Sequence, residues 1–187
     1  MAELWDIYDC NRMKTGRTIR RGQPMTEEEY HIVVQVWIRN PAGQWLISRR
    51  AACKSVPLKW EPTGGSVLAG EDSLAGALRE VREELGVTLH PDCGELLYSF
   101  RRDKPSWENP GFLDVWYFTD DTPIEKIVLQ ESETCDAMWA DTQTILEMIR
   151  KDEFIPMRQY PYYMELFDRF ADGSPWLSME NVLWYNR

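Results

Sequence analysis

The sequence contains no apolar run approaching the roughly 20 residues that a membrane-spanning helix requires. Nothing in its start, "MAELWDIYDC", has the charged-then-apolar pattern of a secretory leader. It also lacks a C-x-x-C pair: Cys10, Cys53, Cys93 and Cys135 lie far apart, so the thiols are expected to be reduced and the protein cytoplasmic. Basic charge is scarce. With 21 Lys and Arg against 31 Asp and Glu the formal net charge is -10, which argues against a nucleic-acid polymer as partner, because phosphate binding needs a basic surface to displace counterions. Internal repeats, low-complexity tracts and linkers are missing too, so residues 1–187 are expected to form one domain.

What is there belongs to a folded chain with a substantial core: 43% hydrophobic residues, 28% charged residues and nine tryptophans. Local basic groups remain for a small anion, namely Arg17, Arg20 and Arg21, then Arg49 and Arg50, then Arg101 and Arg102. The segment spanning about residues 4–22 reads as two extended pieces around a turn ending at Gly16. Tyr30 to Arg39 carries apolar and β-branched residues on both faces, as a buried strand does, and "NPAG" turns it into the return strand "QWLISRR". "AACKSVPLKWEPTGG" reads as a loop with two prolines. From Asp72 to Leu85 the residues Leu74, Leu78, Val81 and Leu85 make one helical stripe, with Asp72 or Ser73 as cap and Gly86 as stop. Gly76 inside it suggests a close approach of another backbone. "ELLYSF", "FLDVWYFT", "IEKIVL" and "DAMWA" read as strands, and two helices follow within about residues 142–171, the second with Pro161 in its first turn. This order predicts an α/β fold, a mixed β-sheet covered by helices on both faces.

On the central helix Glu80, Glu83 and Glu84 share the face opposite the apolar stripe, spread over about 100°. Like charges at i and i+4 cost about 0.2 to 0.5 kcal/mol, and Arg79 reaches Glu83 only from the flank. On an ordinary helix solvent would satisfy such a face. Beside a glycine-rich loop, however, convergent carboxylates are what a hard divalent cation requires, and Gly65 can add a backbone carbonyl.

Residues Gly65 to Val87 match the Nudix box, G-x5-E-x7-R-E-U-x-E-E-x-G-U with U a bulky aliphatic, at every fixed position: Gly65, Glu71, Arg79, Glu80, Val81, Glu83, Glu84, Gly86 and Val87. The chain thus resembles the Nudix hydrolases. The resemblance implies an α/β/α sandwich with a mixed sheet, Mg²⁺ or Mn²⁺ as cofactor, and hydrolysis of small-molecule diphosphates linked to another moiety. By position, Glu80, Glu83 and Glu84 would hold the metal together with the Gly65 carbonyl, while Glu71 and Arg79 would brace the loop against the helix. Divalent ions on the diphosphate neutralise charge that otherwise repels a nucleophile. In some members the proton acceptor is a glutamate in a later loop, where "LQESETCDAMW" supplies Glu131 and Glu133; in others a box glutamate serves.

From Leu4 to Val87 the chain is also similar to isopentenyl-diphosphate isomerase and its hydrolase-like relatives. The isomerase's catalytic cysteine corresponds to Gly64 and its metal-binding histidine to Ser66, so both groups are missing. His31 matches an isomerase histidine, yet a lone histidine on a buried strand reads as structural, and Cys53 as an ordinary thiol. Trp37, Trp60, Trp107, Trp116 and Trp139 are candidates for stacking on a base, and the loop "RRDKPSWENPG" for recognition. The substrate-binding set is therefore Arg49, Arg50, Trp60, Arg101, Arg102 and Trp107. The expected activity is cleavage of a diphosphate bond in a nucleoside diphosphate joined to another group. Its rivals are an isomerase acting on prenyl diphosphate and a catalytically silent ligand-binding regulator. Dimers are common among the relatives, which makes a homodimer an expected partner state.

Overall fold

The computed structural model describes residues 3–103, 109–156, 160 and 162–171. It opens with a hairpin, β1 (Leu4–Tyr8) and β2 (Lys14–Arg20), that forms a two-stranded antiparallel sheet of its own. The reversal comes earlier than the turn expected to end at Gly16. The Asp9 carboxylate accepts from the amides of Asn11 and Met13, both at 2.9 Å, and Arg12 takes the left-handed conformation with φ 63°. Such side-chain capture makes the turn at Asp9–Met13 and leaves Gly16 inside β2. Trp5, Ile7 and Met25 pack with Ile19 and Leu68 and fasten the hairpin to the rest of the molecule.

The main sheet has seven strands: β3 (His31–Arg39), β4 (Trp45–Arg50), β5 (Trp60–Glu61), β6 (Thr63–Ser66), β7 (Glu95–Arg102), β8 (Gly111–Thr119) and β9 (Thr134–Ala140). β3 runs parallel to β8 along its whole length, whereas its partners β6 and β4 and the pairs β4–β5, β4–β9 and β7–β8 are antiparallel. The sheet is mixed, as expected. Among the described residues three helices cover it: α1 (Ser73–Leu85), α2 (Thr142–Arg150) and α3 (Tyr163–Arg169).

The two-residue alternation of strand side chains sorts the core into two layers. Ile32, Val34, Val36 and Ile38 of β3 pack with Ala77, Val81 and Leu85 of α1 on one face. Trp37, Trp45, Ile47, Leu113 and Val115 face Ile145 of α2 and Tyr163, Leu166 and Phe167 of α3 on the other. Each such fully buried large side chain stabilises the fold by about 1.5–3 kcal/mol. The result is the α/β sandwich expected of the chain.

Three readings of the sequence need correction. The "TGG" stretch is strand rather than loop: β6 pairs with Val33–Val36, and a Cβ on Gly64 would lie 2.1 Å from the Val34 carbonyl oxygen, so only glycine fits that contact. "IEKIVL" is a short 3-10 turn at Ile124–Lys126 followed by irregular chain: the Lys126 and Ile127 amides close the turn onto the carbonyls of Pro123 and Ile124, and the Val128 amide donates to the Leu85 carbonyl at the end of α1 rather than to a ladder. Gly76 does admit a close neighbour, but that neighbour is the Val67 side chain, 2.8 Å from where a Cβ would sit, rather than a backbone. Asp141 caps α2, which stops at Arg150; Pro161 lies outside the described residues. No helix among the described residues is long and apolar enough to cross a membrane.

His31, the histidine on the buried strand, stacks on Trp5 with ring centroids 4.2 Å apart. Burial, and then the nearby charges of Arg102 and Arg21, push its pKa down to about 3. Its pKa is depressed relative to the unfolded chain, so the unfolded state binds the extra proton below about pH 6.5 and stability is lost as pH falls through that value. Chemical denaturation at pH 7 and pH 5 should show the wild type losing about 2 kcal/mol more than His31→Phe over that interval. Identical pH dependence of the two would show that His31 is protonated in the folded protein.

Candidate active site

The cleft forms where α1 meets β6 and the start of β3. The Asp72 carboxylate caps α1 by accepting from the Ala75 amide at 2.8 Å, and Gly86, at φ 69°, ends it by donating to the Arg82 carbonyl. With Val81 and Leu85 turned into the core, Glu80, Glu83 and Glu84 are carried to the edge of the sheet. They are not equivalent. Glu83 is half exposed, Glu80 is largely covered and Glu84 is buried at 8% exposure. A Cβ on Gly65 would stand 2.5 Å from Glu80 Oε1, so β6 presents bare backbone to that carboxylate.

Arg79 ties these parts together. Its Nε donates to Glu71 Oε1 at 2.9 Å, its terminal nitrogens to Glu80 Oε1 and Glu83 Oε2, both at 3.0 Å, and to the Ser66 carbonyl at 2.9 Å. Glu71 in turn accepts from the Leu68 amide at 3.0 Å. The arginine therefore reaches Glu80 as well as Glu83, beyond the flanking contact foreseen from helix spacing. Burial opposes its charge, but Glu71, Glu80 and Glu83 together hold its pKa above the ordinary value.

The segment after the 3-10 turn is bolted to the carboxyl end of α1. The amides of Val128 and Gln130 donate to the carbonyls of Leu85 and Glu84 at 2.9 and 3.1 Å, and the Thr134 hydroxyl donates to the Glu84 carbonyl at 3.1 Å. These bonds satisfy helix-end carbonyls that would otherwise lack partners. They also bring Glu133 into the cleft, ion-paired with Lys54, and leave Glu131 exposed and off the cleft wall.

Glu61 is a cleft residue that sequence reasoning missed. It lines the cleft with Glu80, Glu84 and Glu133, while its neighbour Trp60 turns to the opposite face and packs in the second core layer. Strand alternation about Trp60 was the signal available. The Glu84 carboxyl is pushed well above the usual range by burial first, then by Glu80, Glu61 and Glu133, with Lys54 opposing. Burial also raises Glu80, against Arg79, and Glu61, against Arg50.

The substrate-binding candidates divide. Arg50 lines the cleft, but it donates to both oxygens of Glu61, at 2.6 and 2.8 Å, and to the carbonyls of Ser55 and Val56 at 3.0 Å, which makes it the anchor of the Ala51–Lys59 loop. Arg49 donates to the Leu58 carbonyl and lies over the Trp60 ring, and neither residue reaches the cleft. Arg101 pairs with Asp103 and Arg102 lies near Gly111, both at the end of β7; neither lines the cleft, although Arg102 acts on Tyr160, which does. Trp37 is core, Trp116 donates to the Ser73 hydroxyl and Trp139 to the Thr122 carbonyl. Trp107 lies outside the described residues.

The cleft measures about 240 Å³. Its donors are oxygens and its most buried carboxylate faces three others, a set suited to Mg²⁺ or Mn²⁺. Among the described residues no three carboxylates, histidines or thiols enclose an ion as placed, since Arg79 holds Glu80 and Glu83.

Comparison with known proteins agrees with this fold. A family model described as the NUDIX domain matches residues 29–160. An uncharacterized Nudix hydrolase of Listeria monocytogenes is 34% identical over 168 residues, covering 89% of this chain and 94% of that protein. Nudix hydrolase 3 of Arabidopsis thaliana is 30% identical over 177 residues, covering 89% of this chain and 23% of that longer protein. The crystal structure of a Deinococcus radiodurans protein superposes with a TM-score of 0.67 at 25% identity, over 90% of this chain and 99% of that one.

The raised pKa of Glu84 makes a prediction about stability. The stability that its protonated form contributes is complete below the ordinary carboxylate pKa and is lost as pH rises through the raised one. In a chelator at pH 7.5, Glu84→Gln should therefore melt about 3 °C above the wild type, the gap closing on acidification. A variant that melts below the wild type under those conditions would show that the carboxylate is stabilised without a cation.

Proposed function

Because the chain belongs to the Nudix hydrolase family, we propose that it hydrolyses a diphosphate bond in a nucleoside diphosphate linked to another moiety, with Mg²⁺ or Mn²⁺ as cofactor. The observation that carries this reading is the buried Glu84 carboxylate facing Glu80, Glu61 and Glu133 across one cleft, a charge arrangement that a multivalent cation would balance. Glu80, Glu83 and Glu84 would hold the ion with the backbone carbonyl of Gly65. When bound, it supplies positive charge to the phosphoryl oxygens.

The remaining work falls to the chain's own groups. Arg79 keeps Glu80 and Glu83 aligned on α1, and with Glu71 it fixes the loop that leads into the helix. Glu133 is the proton acceptor for the attacking water: it lines the cleft, Lys54 keeps a positive charge beside it, and its loop is bonded to the end of α1. Glu131, exposed and off the cleft wall, has no part in this reading. The isomerase alternative loses support at Gly64, where the Val34 carbonyl leaves no space for a side chain and hence none for a thiol. A silent regulator would have no need of a buried acidic cluster that costs stability when empty.

The test is product analysis after incubating the protein and Mg²⁺ or Mn²⁺ with dinucleotides, nucleotide sugars, nucleoside triphosphates and isopentenyl diphosphate. Metal-dependent phosphoanhydride cleavage is expected. Glu83→Gln and Glu84→Gln should lower kcat by about two orders of magnitude or more, Glu133→Gln by about 10²-fold, and Glu131→Gln by less than about twofold. Double-bond migration without phosphate release would establish the isomerase instead, and full activity in both Glu83→Gln and Glu84→Gln would remove the metal assignment.

A further inference from the structure

Among the described residues the cations lining the cleft are Arg21, Arg50, Lys54 and Arg79. Three are committed. Arg50 is bound to Glu61 and the loop carbonyls, Lys54 to Glu133, and Arg79 to Glu71, Glu80, Glu83 and the Ser66 carbonyl. Arg21 differs. Its guanidinium is held by Glu3 at 2.9 and 3.1 Å, and both side chains are about half exposed, at 52% and 41%. An exposed pair of this kind is weak and exchanges readily for another anion.

The position of Arg21 is nevertheless fixed. The Ala69 amide donates to the Leu4 carbonyl at 2.7 Å, the Gly70 amide to the Asp6 carboxylate at 2.9 Å, and the Arg21 amide to the Glu3 carbonyl at 3.0 Å. With the Trp5, Ile7 and Met25 cluster on Leu68, these bonds clamp the hairpin to the same loop that Arg79 and Glu71 brace. The family model matches residues 29–160, so Glu3 and Arg21 lie ahead of the matched span. The Arg21–Glu3 pair lines the same cleft as Glu80, Glu83 and Glu84.

We infer that Arg21 is a specificity-determining residue that takes an anionic group of the substrate beyond the two phosphates at the box carboxylates, exchanging Glu3 for it. The inference rests on the diphosphate reading above, and it narrows the substrate to compounds with at least three consecutive anionic groups, such as nucleoside tri- or polyphosphates, over dinucleotide diphosphates. Glu3 acts as a placeholder that keeps the guanidinium oriented in the empty cleft.

The experiment is calorimetric titration of the full chain in Mg²⁺ with two hydrolysis-resistant probes, imidodiphosphate and diimidotriphosphate. The wild type should prefer the triphosphate probe by about tenfold. Arg21→Ala should lose that preference, Arg21→Lys should keep part of it and Glu3→Gln should increase it. Retention of the full preference by Arg21→Ala, or equal affinity of the wild type for both probes, overturns this inference alone. Binding of neither probe overturns it together with the diphosphate reading.

Discussion

The arrangement depends on an electrostatic conflict that the fold holds in place. Glu84 is buried beside Glu80, Glu61 and Glu133, and bringing ionised carboxylates out of water costs several kcal/mol each unless counter-charge is supplied. The available counter-charge is partial. Arg50 serves Glu61 and Lys54 serves Glu133, while Arg79 serves Glu71, Glu80 and Glu83, and Glu84 makes no ion pair or hydrogen bond through its carboxylate among the described residues. The surplus is local and negative.

Such a site survives because its frame is over-determined elsewhere. The two core layers flanking β3, with Trp37 and Trp45 on one side and α1 on the other, supply the burial that outweighs it. The bonds from Val128, Gln130 and Thr134 to the end of α1, and the glycine contacts at Gly64 and Gly65, prevent the carboxylates from relaxing apart by moving the backbone. Function is thereby coupled to packing: the strands and helix that place the acids are the ones the core holds most firmly.

Much of this was legible in the sequence because its signals are local. The stripe through Val81 and Leu85, the Asp72 cap and the Gly86 stop define α1 without reference to any partner, and the Nudix box follows from them. The two-faced apolar pattern of Tyr30–Arg39 likewise announces a strand buried between layers. What stayed hidden depends on pairing at a distance. β5 is two residues long and exists through its pairing with Ser48 and Arg49, so the prolines and glycines around it spoke only of loop, and Glu61 carried no periodic signal. Trp60 drew attention that belonged to its neighbour. In "IEKIVL" the β-branched residues suggested a ladder, but the Ile127 amide closes a turn onto Ile124 and the Val128 amide goes to the Leu85 carbonyl of α1, a demand visible only once the helix end is placed. Arg50 looked like an anion contact because its charge is plain in sequence and its partners, Glu61 and the Ser55 and Val56 carbonyls, are not.

The most direct measurement of the central claim is anomalous diffraction from crystals soaked in Mn²⁺. The account predicts a manganese peak in the cleft coordinated by the carboxylates of Glu84 and Glu80, with Arg79 drawn off Glu80. A map with no manganese in the cleft, and with Glu80 and Glu83 still paired to Arg79, would contradict it.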